Sequence, residues 1–387
     1  MDFQLSEDQK LFQSTIREFV NRDIRPVARE WEHSDRYPTE IVTRMKEMGL
    51  FGMTIPAEYG GMEVDIISMA IVFEEISKAW MGIAGILGSH SLSCAMIARH
   101  GTEDQKQRYL PDLATGARRT GIGLTEPDAG TDLQGIKTRA IRDGDEYVIN
   151  GTKIWITNAR HADPLPVLVK TDPTTDPAHR GMSIILVEQG TPGFEVSRDM
   201  GKLGYKGTES CEVELRDARV PAANLLGGVE GRGLQQALSG LELGRINIAA
   251  RAVGIAQEAY DQALNYSRQR HAFKKPISSF QSIQLKLAEM AINVQASRLL
   301  TYWAASRADS GERVDLEAGM AKYFASESAL SNSVDAMRIH GGMGYSTELD
   351  VERLYRDAPL MLIGEGTNEL QRIIIARSLI DGQNVVG

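Results

Sequence analysis

The apolar positions of this chain follow three successive patterns. Over residues 5–116 they recur at helical spacing, and Ser6 with Gln9 gives the first helix a capping-box start. Over residues 119–220 the period shortens to two, which is typical of half-buried strands, and from residue 234 the helical period returns. The pattern predicts an α+β multidomain fold: an all-α domain over 1–118, an antiparallel β-barrel or sandwich over 119–228, and a four-helix bundle over 229–387.

Two turn dipeptides divide the first strands of the predicted β domain. Asp143-Gly144 separates TRAIR from EYVIN, and Asn150-Gly151 separates EYVIN from KIWIT. Because both residues of such a dipeptide tolerate positive φ, the sequence predicts a tight hairpin at each position.

Composition narrows the class of protein. Of the 387 residues, 42% are hydrophobic and 25% charged, as in globular proteins, and the formal net charge of -9 disfavours nucleic-acid binding through the overall field. Cys94 and Cys211 have no CxxC partner, and no two histidines stand three or four residues apart. We therefore expect neither a disulfide framework nor a metal site.

The N-terminal stretch MDFQLSEDQK lacks the apolar core of a signal peptide, and the sequence shows no continuous apolar run of about 18 residues. These features predict a cytoplasmic protein without a membrane segment.

Two glycine clusters invite a dinucleotide-binding interpretation, GVEGRG over 228–233 and GGMG over 341–344. Neither follows a predicted strand that opens into a helix, so the Rossmann context is missing. A linker explains the first cluster, and a helix C-cap explains the second about as well as close approach to a ligand. Trp155, on a predicted strand, is either a cross-strand aromatic or a flat platform for an aromatic cofactor.

Glu365 stands between two glycines in IGEGTNELQR, directly before an apolar helical run. Taken alone, this glutamate is a solvated turn residue in front of a helix that Thr367 caps.

Four segments, in the same order, resemble motifs of the acyl-CoA dehydrogenase family. They are GLTEPDAGTDLQG, SRQRHAFKKPISSFQ, RIHGGMGY followed by Glu348, Arg353 and Asp357, and YRDAPLMLIGEGTNELQR. The likeness covers nearly the whole chain, and the helix, β, helix order is that of the family. The resemblance implies an FAD-dependent enzyme of fatty acid or amino acid catabolism. Its substrate would be a short-, medium- or branched-chain acyl-CoA, and its product the trans-2-enoyl-CoA.

The resemblance also implies the residues of the site. Those matching FAD contacts are Leu124, Thr125, Gly130, Thr131, Trp155, Thr157, Arg270, Phe273, Gln281, Arg338, Ile339, Gly341, Gly342, Thr367 and Glu369. Those matching substrate contacts are Thr131, Leu241, Arg245 and Gly366. Three of the FAD residues, Arg270, Phe273 and Gln281, match contacts to the FAD of a partner subunit. A homotetramer built as a dimer of dimers is therefore implied, with electron-transferring flavoprotein as the redox partner.

The resemblance assigns the catalytic base to Glu365. One branch of the family carries its base on the long helix instead, at the position that is Gly244 here. Glu242 lies nearby in sequence, but two residues back on a helix it faces another direction. Three departures from the family pattern, Arg338 for a common Gln and Asp128 and Lys274 for common glycines, lie away from the reacting centre.

The acyl group is less clearly marked. Glutaryl-type members carry an arginine in the helix before GSHS, and the stretch MGIAGILG has none, which argues against a dicarboxylic acyl substrate. Gly82, Ile83, Gly85 and Gly88 suggest an apolar acyl pocket instead.

Two alternatives remain at this stage. A same-fold flavin oxidase or monooxygenase would use oxygen as the acceptor. A DNA-associated flavoprotein acting as a binding module would carry a basic extra C-terminal domain, whereas this chain is net acidic and ends soon after the bundle.

Overall fold

The computed structural model describes residues 4–382, and its first third is helical. The Ser6–Gln9 capping box forms as predicted, and a second one forms at Thr102 and Gln105. The helices are α1 (Glu7–Phe19), α2 (Arg25–His33), α3 (Thr39–Glu47), α4 (Ile66–Ala79), α5 (Met81–His100) and α6 (Glu103–Thr115).

Helix α5 is long and apolar enough to cross a membrane by length and composition alone. The search for a continuous apolar run did not detect this helix. However, 83% of its most apolar window is buried inside the protein, which is the environment of a core helix.

One six-stranded sheet follows. Its strands are β1 (Arg139–Asp143), β2 (Glu146–Thr157), β3 (Leu165–Lys170), β4 (Met182–Val187), β5 (Phe194–Asp199) and β6 (Ser210–Pro221), in the order β4-β3-β1-β2-β6-β5. All neighbouring strands are antiparallel except β1 and β3, which meet in parallel at Arg139 and Lys170.

The two turn dipeptides have different fates. The hairpin at Asp143-Gly144 is confirmed, since Asp143 pairs with Glu146 across the turn. The hairpin predicted at Asn150-Gly151 is wrong, because β2 continues through it with a bulge. The Asn150 side chain exchanges two hydrogen bonds with Asp217 on β6, of 2.9 and 3.0 Å. This cross-strand pairing makes the dipeptide a bulge within a long strand.

Five helices complete the described chain: α7 (Gly233–Gln269), α8 (Gln281–Asp309), α9 (Asp315–His340), α10 (Val351–Ile363) and α11 (Asn368–Ile380). Helix α7 approaches α4 closely at Gly254, where a Cβ would lie 2.8 Å from the Cβ of Ser77. The N-terminal and C-terminal helices therefore share one core, and α7 runs through it. No helix was predicted over α10, which contains Pro359.

The segment between the sheet and α7 is closely packed. A Cβ at Gly233 would lie 2.5 Å from the Cα of Ser183, and Gly231 donates its N–H to the Ser183 hydroxyl at 3.1 Å. Glycine in this cluster therefore allows close contact with β4, which the linker interpretation did not foresee.

Candidate active site

Glu365 lies in the loop between α10 and α11, with an unusual backbone. Its φ is 55°, in the left-handed region that costs a non-glycine residue about 1–2 kcal/mol. Its side chain is 18% exposed, and Oε2 is buried without a hydrogen-bond partner. The interpretation of Glu365 as a solvated turn residue is therefore wrong. Thr367 does cap α11 as predicted, accepting from the Leu370 N–H at 3.3 Å.

A lysine on α9 holds this loop. The fully buried Lys322 ammonium donates to Leu362 O at 3.0 Å, Gly366 O at 2.9 Å and Asn368 Oδ1 at 2.8 Å. These three acceptors flank Glu365 on both sides, so the lysine fixes the segment that carries it. Burial lowers the pKa of Lys322 to about 8, against the opposing charge of Glu365.

The carboxylate of Glu365 faces Gly244 on α7. A Cβ at Gly244 would lie 2.8 Å from Cδ of Glu365 and would overlap Oε2. Glycine in a helix interior costs about 1 kcal/mol relative to alanine, and here its absent side chain leaves room for the carboxylate. Glu242 faces away as predicted, since it accepts from the Val314 N–H.

Three cations surround the carboxylate. Burial raises the pKa of Glu365, while Arg251, Lys322 and Arg245 oppose the rise. Arg251 is nearest, with one guanidinium nitrogen 3.8 Å from Oε1. Arg245 is buried and paired with Asp315 at 2.8 Å. Glu365 is therefore a buried carboxyl group in a cationic environment, which favours an ionised base of raised basicity.

A second polar cluster fixes the loop over residues 123–132. The buried carboxylate of Glu126 accepts from the N–H groups of Lys137 at 2.6 Å and Thr138 at 3.0 Å. The fully buried Lys153 donates to Glu126 at 2.8 Å and to Leu124 O at 3.0 Å. This pair holds the loop on β2.

Trp155 adjoins this loop on β2. Its φ is 62°, and its side chain is 49% exposed at a second bulge, between Lys153 and Ile156. The residue directly before it, Ile154, donates its N–H to Thr125 O at 2.9 Å, which joins the strand to the loop. The indole is therefore an exposed aromatic surface, as a platform requires, and it is held on a left-handed backbone.

Comparison with known families identifies the architecture. Three family models match in succession: the acyl-CoA dehydrogenase N-terminal domain over residues 6–117, the middle domain over 121–218 and the C-terminal domain over 231–380. The chain belongs to the acyl-CoA dehydrogenase family.

Individual relatives agree. The chain is 44% identical to the probable acyl-CoA dehydrogenase YngJ of Bacillus subtilis (strain 168), over 98% of this chain and 100% of that protein. It is 40% identical to the acryloyl-CoA reductase (NADH) of Anaerotignum propionicum, over 98% and 96% of the two chains. The solved structure of butyryl-CoA dehydrogenase from Megasphaera elsdenii matches with a TM-score of 0.95 at 37% identity, covering 98% of this chain and 100% of that one.

Acyl-CoA dehydrogenases are FAD-dependent oxidoreductases that act on CH–CH bonds, and the residues around Trp155 fit that cofactor. Gly130 and Thr131 are exposed in the loop that Thr125 joins to β2, and Thr125 and Thr157 are half-buried. Hydroxyl and backbone donors beside an aromatic face suit the polar edge and the ring of a flavin.

The other residues that match FAD contacts lie elsewhere on the chain. Phe273 and Lys274 form the turn of a short hairpin after α7, with φ of 51° and 70°, so Lys274 adopts the left-handed conformation that favours glycine. Phe273 is 89% exposed, and Arg270 and Gln281 are exposed too. Among the described residues, no hydrogen bond or ion pair joins this hairpin to the Glu365 loop.

The C-terminal end of α9 carries a third group of residues that match FAD contacts. Gly341 ends the helix with a φ of 60°, as the C-cap interpretation predicts, and Gly342 has open space beside it. Arg338 is exposed and pairs with Asp335 at 3.4 Å, whereas Ile339 is buried.

The residues that match substrate contacts divide between two places. Arg245 and Gly366 lie at the Glu365 loop, and Leu241, half-buried, lies one turn before Arg245 on α7. Thr131 lies in the loop beside Trp155. Glu369 is exposed in the first turn of α11.

The prediction that the glycines of α5 line an apolar acyl pocket is wrong. The space beside Gly85 is filled by the Tyr205 hydroxyl, and a Cβ at Gly88 would lie 3.3 Å from Cγ of Asn247, with the amide nitrogen closer still. A Cβ at Gly82 would lie 2.7 Å from Lys206 O. These glycines therefore accommodate polar groups of neighbouring segments, and Ile83 is fully buried.

Within the part of the chain that the structure describes, one group of acidic and histidine side chains is close enough to hold a metal ion, Glu32, His33 and Glu352. Arg356 bonds to both carboxylates, at 2.8 Å to Glu32 and 2.6 Å to Glu352. The guanidinium supplies the positive charge between these carboxylates.

Proposed function

We propose that the chain catalyses the α,β-dehydrogenation of a short acyl-CoA thioester, with Glu365 as the catalytic base. The observation that carries this proposal is the buried Oε2 of Glu365, which has no hydrogen-bond partner among the described residues and faces the side-chain space left by Gly244. A carboxylate with a free, desolvated oxygen is suited to removing a weakly acidic proton.

The proton removed is that of the thioester Cα. Glu365 takes it up, and the negative charge that develops on the thioester oxygen needs a donor. The backbone N–H of Glu365 would supply one, because the left-handed loop and Gly366 let the backbone approach the substrate. Arg251, Lys322 and Arg245 oppose the rise in the pKa of Glu365 that burial causes, and so favour the ionised base.

FAD, when bound, supplies the oxidant that accepts the hydride from Cβ. Trp155, Thr157 and the loop from Leu124 to Thr131 would hold its ring system. The exposed hairpin with Phe273 would contact the FAD of a partner subunit, which is why we propose a homotetramer. Electron-transferring flavoprotein is the proposed acceptor of the electrons.

The side chains that fill the space beside Gly85 and Gly88 on α5 favour a short acyl chain. Tyr205 and Asn247 occupy space that a longer chain would need. A chain of medium length would have to displace these buried side chains.

The direction of the reaction and the electron acceptor require an experiment, because the same residues serve an enoyl-CoA reductase in reverse. Purified holoenzyme is mixed anaerobically with acyl-CoA thioesters of varied length and branching, and flavin absorbance is followed. We expect bleaching with short thioesters and slow reoxidation in air. Fast reoxidation by oxygen would indicate an oxidase, and no bleaching by any saturated thioester would refute the dehydrogenase proposal.

A further inference from the structure

Arg251 is a buried cation with few partners. It lies on α7, two turns after Gly244, and is 4% exposed. Its Nε has no hydrogen-bond partner, and one terminal nitrogen has only the Met81 sulfur, at 3.9 Å. The other terminal nitrogen is 3.8 Å from Glu365, beyond hydrogen-bond distance. A guanidinium carries five donors, so this one is unsatisfied to an unusual degree.

Other buried arginines of the protein show the contrast. Arg245, whose Nε also lacks a partner, bonds to Asp315 at 2.8 Å, and Arg353 bonds to Ala79 O at 2.8 Å and Asp350 at 3.2 Å. Burying a charge without a close acceptor costs several kcal/mol, so a guanidinium whose nearest carboxylate is 3.8 Å away indicates an acceptor that arrives with a ligand.

Asn247 extends this polar surface. It lies one turn before Arg251 on the same face of α7, is buried, and has no partner for Oδ1. Its amide nitrogen rests against Gly88 of α5. The face of α7 beside the base therefore carries an amide and a guanidinium, which suits a polar group better than a hydrocarbon chain.

The chemistry at Glu365 strengthens this argument. Glu365 is the one carboxylate within 4.0 Å of Arg251 among the described residues, and it must become neutral when it takes the Cα proton. At that moment Arg251 loses its only nearby anion. A second carboxylate, carried by the substrate, would remain paired with the guanidinium throughout the reaction.

We propose that Arg251 is a specificity-determining residue that binds a carboxylate at the far end of the acyl group, so that the substrate is a short dicarboxylic acyl-CoA. This inference rests on the dehydrogenase function proposed above. Because Arg251 lies next to the base, the acyl group that reaches both is about four or five carbons long. The argument from sequence against such substrates considered only α5, whereas this arginine comes from α7.

The test compares thioesters of matched shape on the wild-type holoenzyme. Succinyl-CoA is paired with 4-methylpentanoyl-CoA, and glutaryl-CoA with 5-methylhexanoyl-CoA, so that an isopropyl group replaces each carboxylate. Anaerobic flavin bleaching gives kcat/KM for each. We expect kcat/KM of the better dicarboxylic thioester to exceed that of its isopropyl isostere by at least about tenfold.

Variants then connect the preference to Arg251. Arg251→Gln should lower the ratio of kcat/KM for the dicarboxylic thioester to kcat/KM for its isostere by roughly a hundredfold. Arg251→Lys, which keeps the charge, should lower this ratio by less. Arg142→Gln, the same change at an exposed arginine of the β1–β2 hairpin, should leave the ratio unchanged.

Two results would overturn the inference. Wild-type enzyme that prefers the isosteres shows that Arg251 does not bind a carboxylate, whether or not the variants fold. An equal loss on both thioesters in Arg251→Gln shows that Arg251 serves Glu365 alone. Bleaching by none of the four thioesters or of the neutral panel would refute the dehydrogenase function itself, which is a distinct outcome.

Discussion

The side-chain space at Gly244 is occupied by the carboxylate of Glu365, with a Cβ at 244 falling 2.8 Å from Cδ of Glu365. The two positions at which a base can stand are therefore mutually exclusive in space. A base on α7 would fill the volume that the base from the α10–α11 loop now uses.

A prediction for the Gly244→Ala variant follows from this relationship. Alanine favours the helix by about 1 kcal/mol, yet its methyl group must displace the carboxylate, so we expect kcat to fall at least about tenfold with FAD retained. Steady-state kinetics and the flavin-to-protein absorbance ratio check this. Gly240→Ala, whose new methyl group would have Leu92 as its nearest neighbour, is the control. An unchanged kcat in Gly244→Ala would show that Glu365 can work from elsewhere.

Lys322→Met tests how the loop is held. Methionine fills a similar volume but leaves Leu362 O, Gly366 O and Asn368 Oδ1 without this donor, which should cost about 2–4 kcal/mol of unfolding free energy. We expect kcat to fall while FAD content stays near normal, measured by denaturant unfolding and kinetics. Unaltered kcat in a folded variant would mean that Lys322 is structural only.

Glu126→Gln addresses the cofactor loop. The change leaves the fully buried Lys153 without its carboxylate, and breaking such a pair costs about 3–5 kcal/mol. We expect lower FAD content as well as lower stability, in contrast to Lys322→Met. Asp128→Asn, which breaks the exposed pair with Lys137, is the control and should cost under about 1 kcal/mol. Full FAD occupancy in Glu126→Gln would separate this pair from cofactor binding.

The raised pKa of Glu365 predicts opposite pH trends for activity and stability. Activity needs the carboxylate, so kcat/KM should rise with pH through an apparent pKa above the ordinary value of about 4.3. The stability contributed by this carboxyl is full below the unfolded-chain pKa and is lost as pH rises through the folded pKa. Wild type should therefore lose Tm relative to Glu365→Gln as pH rises across that window. A kinetic pKa at or below about 4.3 would contradict a desolvated base.

The sequence predicted those features of the fold and the site that depend on local pattern or on family motifs. Three features could be predicted from the sequence. They are the order of helical and β segments, the orientation of Glu242 away from the site, and the presence of a glycine at 244 together with a glutamate at 365. At Asn150-Gly151 the local signal was a hairpin, but Asp217, 67 residues away, converts it to a bulge.

The residues that sequence reasoning missed act through long-range contacts. Lys322 donates to an acceptor 46 residues away, and Arg251 on α7 lies 3.8 Å from Glu365 in the α10–α11 loop. A weak signal existed for both, a lone cation within a mostly apolar stretch, in AGMAKYFAS and NIAARAVG. That pattern marks a buried charge but does not say which groups it contacts.

The most direct test of the account is the flavin absorbance of Glu365→Gln. The holoenzyme is prepared with FAD bound and mixed anaerobically with the thioester that bleaches wild type fastest. Glutamine keeps the shape of the side chain but cannot take a proton. The account predicts normal FAD content and thioester binding, with bleaching slowed by at least about a thousandfold. Bleaching at a rate near that of wild type would show that Glu365 is not the base.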